Sequence, residues 1–228
     1  RWGQAWKSAE WSLKESEVKA ILSVYDKTGI VDLAKSLSST GIDLISTGGT
    51  HQLLSEQAGL PVALVSELTG SPEILGGRVK TLHPAIHGGV LAVRDDPGHM
   101  AELKKHSIEP IDVVVVNLYP FEATIGKPDF STSEAIENID IGGPTLLRAA
   151  AKNHASVIVI VDPNDYQWVV EALNKGEVPM ADRRRLAAKA FSHVARYDSI
   201  VSKWLNGPEE MFPHELTVGL KLVSQLRY

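Results

Sequence analysis

Two stretches of this sequence, VVVV at 113–116 and VIVIV at 157–161, are apolar at every position. A strand with one wet face alternates polar and apolar residues, whereas a strand covered on both faces does not. Neither run approaches the 18 or so apolar residues that a membrane span takes. Both therefore read as strands of a sheet enclosed between helices. The rest of the chain supplies those helices. AILSVY at 20–25 reads as a buried strand, TGIVDLAKSLSSTG as a helix stopped at Gly41, DLIS at 43–46 as a second strand, HQLLSEQAG as a helix ending at Gly59, and PVALV at 61–65 as a short strand. Further helices are expected over 97–106, 132–138, 144–153, 163–175 and 182–205. Strand–helix alternation of this kind predicts an α/β fold with a mostly parallel, doubly wound sheet flanked by helices.

With 43% hydrophobic and 22% charged residues, the 228-residue chain can bury a core, which excludes a disordered or fibrous protein. The net charge of −5 argues against nucleic acid as a partner, and the lack of a membrane-length run argues against a membrane. Zero cysteines remove disulfides, thiolate metal sites and cysteine nucleophiles. The chain starts at Arg1 without a signal series, as expected of a piece of a processed or longer protein rather than a secreted one. The organisation expected is a tail over 1–18, a domain over 19–206, and a linker from 207 to 228 that opens on the breaker-rich NGPEEMFPHE and closes on the strand-like LTVGLKLVSQLRY. The tail reads as weakly helical, with Trp2 and Trp6 on one face, packed on the body.

In open α/β sheets, ligands collect beyond the carboxyl ends of the strands. The loops there are YDKTG (25–29), STGGT (46–50), PFEAT (120–124) and DPND (162–165), joined by the long connection GGRVKTLHPAIHGG (76–89). STGGT runs straight into a helix, an arrangement that suits an anion and equally describes a tight strand-to-helix turn. Lys27 offers a cation nearby, or else a solvated lysine; Asp26 is placed to cap the first helix. Arg78 and Lys80, two apart on a segment read as extended, share a face and repel unless an anion lies between them. His83 and His87 have the spacing of a helical metal pair, but Pro84 disfavours helix at His83 and no carboxylate lies in the segment, so no metal site is expected. Asn117 and Tyr119 reach the carboxyl edge of the sheet, where Asn117 can recognise a heterocycle or amide. Arg148 and Lys152, four apart on the helix after Gly142 and Gly143, share a face that is either ligand-directed or merely basic.

Taken together, YDKTG, STGGT, GGRVKTLHPAIHGG, VVVVNLYPF, ENIDIGGPTLLRAAAKNH and KAFSHVARYDS resemble the cyclohydrolase domain of the bifunctional purine biosynthesis enzymes, from about Ala20 to Trp204. The closing LRY resembles the start of that family's formyltransferase half. The resemblance implies a methylglyoxal-synthase-like fold and a cofactor-free reaction, in which a formylated aminoimidazole carboxamide ribotide (formylated AICAR) closes to inosine monophosphate (IMP). It implies a homodimer and a cytoplasmic enzyme, with a plastid as the alternative. Substrate contacts are expected from Tyr25, Asp26 and Lys27; from Ser46, Thr47, Gly48, Gly49 and Thr50; from Arg78, Val79 and Thr81; and from Val116, Asn117, Ile141 and Gly142. Tyr25 stands where the family usually carries serine, so its backbone is left to serve.

Ring closure takes a proton from the attacking carboxamide nitrogen, stabilises charge on the formyl oxygen, and releases water. Lys80, Lys152, Tyr119 and Asp140 in one pocket would suffice, and the resemblance makes Lys152 the leading proton-transfer residue. A methylglyoxal-synthase-type lyase is the alternative enzyme, favoured less because the long 78–89 segment and NLYPF suit a ligand larger than a triose phosphate. A nucleotide-binding allosteric module is the non-enzymatic one, and it has no use for two lysines, a tyrosine and an aspartate around one ligand.

Overall fold

The two all-apolar runs pair with each other. In the computed structural model, which describes residues 18–207, 213–224 and 226–227, β4 (Val113–Asn117) and β5 (Ile158–Ile160) lie in parallel register, Val113 opposite Ile158, with every side chain buried. With β1 (Lys19–Val24), β2 (Asp43–Ser46) and β3 (Val62–Leu64) they form one all-parallel sheet in the order β3-β2-β1-β4-β5. The chain winds outward from β1 to β3, then crosses back to place β4 on the other side of β1. Right-handed crossovers running in opposite directions put their helices on opposite faces. That is why α1 (Ile30–Ser39) and α8 (Gly142–Lys152), which bridge β1–β2 and β4–β5, sandwich the sheet. α1 packs on β2 and on α9 (Tyr166–Asn174). α8 packs on β4 and β5 and is covered by the 27-residue α10 (Met180–Asn206).

The expected helices over 97–106, 132–138, 144–153, 163–175 and 182–205 correspond to α5 (Pro97–Lys105), α7 (Thr132–Glu137), α8, a 3-10 turn plus α9, and α10. The structure adds three helices beyond these, α3 (Val65–Thr69), α4 (Pro84–Leu91) and α6 (Phe121–Ile125), while α2 (Gly48–Gln52) continues into a π-helical turn at Leu53–Gln57. The extended His83 before Pro84 agrees with the restriction that proline puts on the residue preceding it, and α4 starts directly after it. Pro84 is the first helical residue, where its fixed φ costs nothing, and His83 caps the helix by accepting from Ala85 N at 3.1 Å. The strand-like closing segment forms no strand over 213–224: Leu216, Leu220 and Val223 are exposed, and alternation yields a strand only where a sheet edge accepts it. The weakly helical reading of Trp2 and Trp6 lies outside the described residues, among which no helix is long and apolar enough to cross a membrane.

α4 is held so close to the segment leading into β4 that a Cβ on Gly89 would stand 2.5 Å from the Glu109 carbonyl oxygen. Gly89→Ala gains up to about 1 kcal/mol of helix propensity. Overpacking against backbone, which cannot swing aside, costs about 1–3 kcal/mol. We expect a net loss of about 1 kcal/mol in urea unfolding; a gain would show that α4 can shift.

Candidate active site

The order of the strands reverses between β1 and β4, and a crevice opens beyond their carboxyl ends. Val24 and Asn117 are register partners at those ends, so the loops that follow them meet. The Asn117 side chain ties them: its Oδ1 accepts from Tyr25 N (2.7 Å) and Asp26 N (2.9 Å), and its Nδ2 donates to Asp26 O (3.1 Å). Asn117 thus spends most of its amide on the loop while still lining the cavity, where it was expected to meet a heterocycle. The Tyr25 and Tyr119 rings then lie 5.1 Å apart, both half exposed, on the wall of a cavity of about 740 Å³. That volume lies within the ordinary range for small-molecule sites.

One wall is the threonine–glycine loop. Lys27, Thr47, Gly48, Gly49 and Thr50 all line the cavity. Lys27 Nζ donates to Thr50 Oγ1 at 2.7 Å and to the Val24 carbonyl, and among the described residues no carboxylate pairs with it. Burial pushes its ammonium below the usual lysine range. A half-buried cation held by neutral oxygens beside two threonines has the charge and the donors that suit an anionic group. Ser46 and Asp26 are not on this wall. Ser46 is fully buried and donates to Leu22 O at 2.6 Å, because it points inward as the last residue of β2. Asp26 turns to Thr28 N and Oγ1 (2.9 and 2.6 Å), and Gly29, not Asp26, caps α1.

The facing wall carries Arg78, Lys80, Thr81, Tyr119, Asp140 and the first turn of α8, with Ile141, Gly142 and Gly143. Arg78 is not extended as expected: it follows a 3-10 turn at Leu75–Gly77 in helical geometry. The two cations do not need a ligand between them either, since Arg78 Nε bonds Glu137 Oε2 at 3.1 Å and Lys80 Nζ lies 3.1 Å from Glu73 Oε2. Val79 is not among the lining residues and pairs its backbone with Ile74. Val116 lines the cavity from the floor. Asp140 precedes α8 and accepts from Gly143 N (2.9 Å), while Tyr197 on α10 takes Asp140 N (2.7 Å). Burial, the largest influence, raises the Asp140 carboxyl above its ordinary range against the bonds from Gly143 and Tyr119.

Lys152 does not join them. It is exposed on the last turn of α8, whose first turn is the one at the cavity, and eleven residues of helix span about 16 Å. Arg148, on the same helix, stacks over Phe191 with its guanidinium 5.5 Å from the ring centroid. Sequence reasoning missed Glu73 and Glu137, the partners of Lys80 and Arg78; neither stands at a fixed spacing from its cation that a motif would reveal. Among the described residues no three His, Cys, Asp or Glu side chains stand close enough together to hold a metal ion.

The pattern of the MGS-like domain family matches residues 29–145, and that of the AICARFT/IMPCHase bienzyme family matches 150–228. The bifunctional purine biosynthesis protein PurH of Chloroflexus aurantiacus is 56% identical over 94% of this chain, and that of Anoxybacillus flavithermus 55% identical over 92%. The chain spans 41% of the length of either relative. A solved structure titled "Crystal structure of ForH" is 37% identical, superposes with a TM-score of 0.72, and is matched over 82% of this chain and 98% of its own.

Proposed function

Since the chain belongs to the MGS-like domain family and runs on into the AICARFT/IMPCHase bienzyme pattern, we propose that its cavity performs the IMP cyclohydrolase reaction. The carboxamide nitrogen of the formylated ribotide attacks the formyl carbon. One proton from each of the two nitrogens leaves with the formyl oxygen as water, and the six-membered ring of IMP remains. Both reacting groups belong to one molecule, so holding them in contact supplies much of the acceleration.

The observation that carries this reading is the uncompensated Lys27 at the threonine–glycine loop, facing a wall of proton-exchanging groups across one cavity. The loop and Lys27 hold the ribotide phosphate. Lys80 and Tyr119 stand where protons must move, and Asp140, with its raised carboxyl, is suited to exchange one near the first turn of α8. The helix dipole there favours charge building on the formyl oxygen. Tyr25 and Tyr119 offer ring faces for the imidazole. A triose phosphate, the substrate of the lyase alternative, would leave this second wall unused. The assembly expected is a cytoplasmic homodimer, and light scattering on the longer protein would test its dimeric state.

The direct test is incubation with formylated ribotide, without folate, nucleoside triphosphate or added metal, while IMP absorbance is followed. Turnover that survives a chelator is expected; activity on a triose phosphate alone would replace this reading by the lyase one. Lys27→Ala is expected to raise KM about 10- to 100-fold, the loss of one charge-assisted bond, with kcat little changed. A loss confined to kcat would move Lys27 from binding into the chemistry.

A further inference from the structure

Lys80 Nζ lies between two glycines. A Cβ on Gly48 would stand 3.4 Å from it, and a Cβ on Gly77, whose φ is +89°, would stand 2.9 Å from Lys80 Cε. The slot is closed by Glu73. One carboxylate oxygen accepts from Thr47 Oγ1 and the other lies 3.1 Å from Lys80 Nζ, so a single side chain joins the threonine–glycine loop to the opposite wall. The backbone sets this meeting up. Ile74 and Val79 form an antiparallel bridge, Ile74 N to Val79 O at 3.2 Å, and the next pair outward from it is Glu73 opposite Lys80, an opposite-charge cross-strand pair. Burial pulls the Glu73 carboxyl upward, but the bonds from Thr47 and Lys80 and the charge of Lys80 leave it below its ordinary value. Thr47 and Lys80 are on the cavity wall and Glu73 is not, so its carboxylate grips both without taking ligand space.

We infer that Glu73 is a positioning residue for the cavity's chemistry: it fixes the Lys80 ammonium against Gly48 and keys it to Thr47, so that the proton-exchanging group and the phosphate loop keep one spacing. This rests on the cyclohydrolase reading for its consequence in turnover, though not for the coupling itself. Glu73→Gln keeps a carbonyl oxygen for Thr47 but turns a neutral amide toward Lys80. It is expected to lower kcat about 10- to 100-fold with KM within about threefold, a fraction of what a positioned acid or base supplies. In a Lys80→Ala background the same substitution should change kcat less than about twofold, because nothing is left for Glu73 to position. Losses that add in full across the two variants, or a rise confined to KM, would overturn the inference. Reductive methylation with ¹³C-formaldehyde gives each lysine a resonance, and that of Lys80 should move in Glu73→Gln but not in Glu109→Gln, which alters the pair at Lys19 instead. An unmoved Lys80 resonance overturns the inference whether or not the protein makes IMP. Absence of turnover in the unaltered chain would sink only the cyclohydrolase reading.

Discussion

Replacing Lys80 by alanine is expected to lower kcat by about 10² to 10⁴ while IMP still binds. That is the span over which a positioned proton donor or acceptor acts. The prediction stands on placement. Lys80 lines the cavity together with Thr81, Tyr119 and Asp140, and its Nζ is set against Gly48 of the threonine–glycine loop. Lys27 has the threonine–glycine loop to share the work of binding, so the phosphate keeps its hold when Lys80 is gone. Turnover within a fewfold of the unaltered chain, with the variant folded, would leave ring closure to substrate orientation and the backbone donors of α8. Lys152→Ala belongs in the same series, because resemblance and geometry diverge there. An unchanged kcat assigns the proton transfer to the cavity wall, and a loss of 10² or more requires the far end of α8 to approach the ligand.

Asp140→Asn is expected to cost about as much in kcat, and it separates chemistry from architecture. Asparagine keeps the side-chain oxygen that accepts from Gly143 N and so preserves the start of α8. It loses the titratable proton. A variant that kept its kcat within tenfold would reduce Asp140 to a cap. Stability should respond in the opposite sense. Burial raises the Asp140 carboxyl above its ordinary 3.8, so the folded chain binds a proton more readily than the unfolded one. Linkage then makes this group's contribution favourable at low pH and progressively lost as pH climbs from about 4 through the raised value. Asparagine has no such loss, so the melting temperature of Asp140→Asn, relative to the unaltered chain, should rise from pH 3 to pH 7. A flat difference would mean that the carboxyl is not desolvated in solution. Activity held at some cost in stability is the usual bargain at a working site.

What the sequence determined by itself was local or periodic. Apolar runs at 113–116 and 157–161 have no wet face, so they had to be inner strands, and the 3.6-residue stripe of α10 set that helix over nearly its full length. The loops STGGT and GGRVKT were legible because glycine and hydroxyl residues next to a helix start announce backbone donors, and most residues proposed from them line the cavity. Only the tertiary structure decided which partner each polar group would take. Asn117 and Asp26 look free in the sequence, yet a register pairing of Val24 with Asn117 consumes the first on the loop, and the second closes its own turn. Ser46 was buried at the end of a strand covered on both faces, and Lys152 was carried away along a helix whose other end lies at the cavity. Glu73 and Glu137 had no signal in the sequence, since a carboxylate finds its cation through strand order and a one-bridge hairpin, not through spacing along the chain. Hydrogen bonds and ion pairs act over about 3–4 Å in space, and the folded topology alone determines which residues come that close.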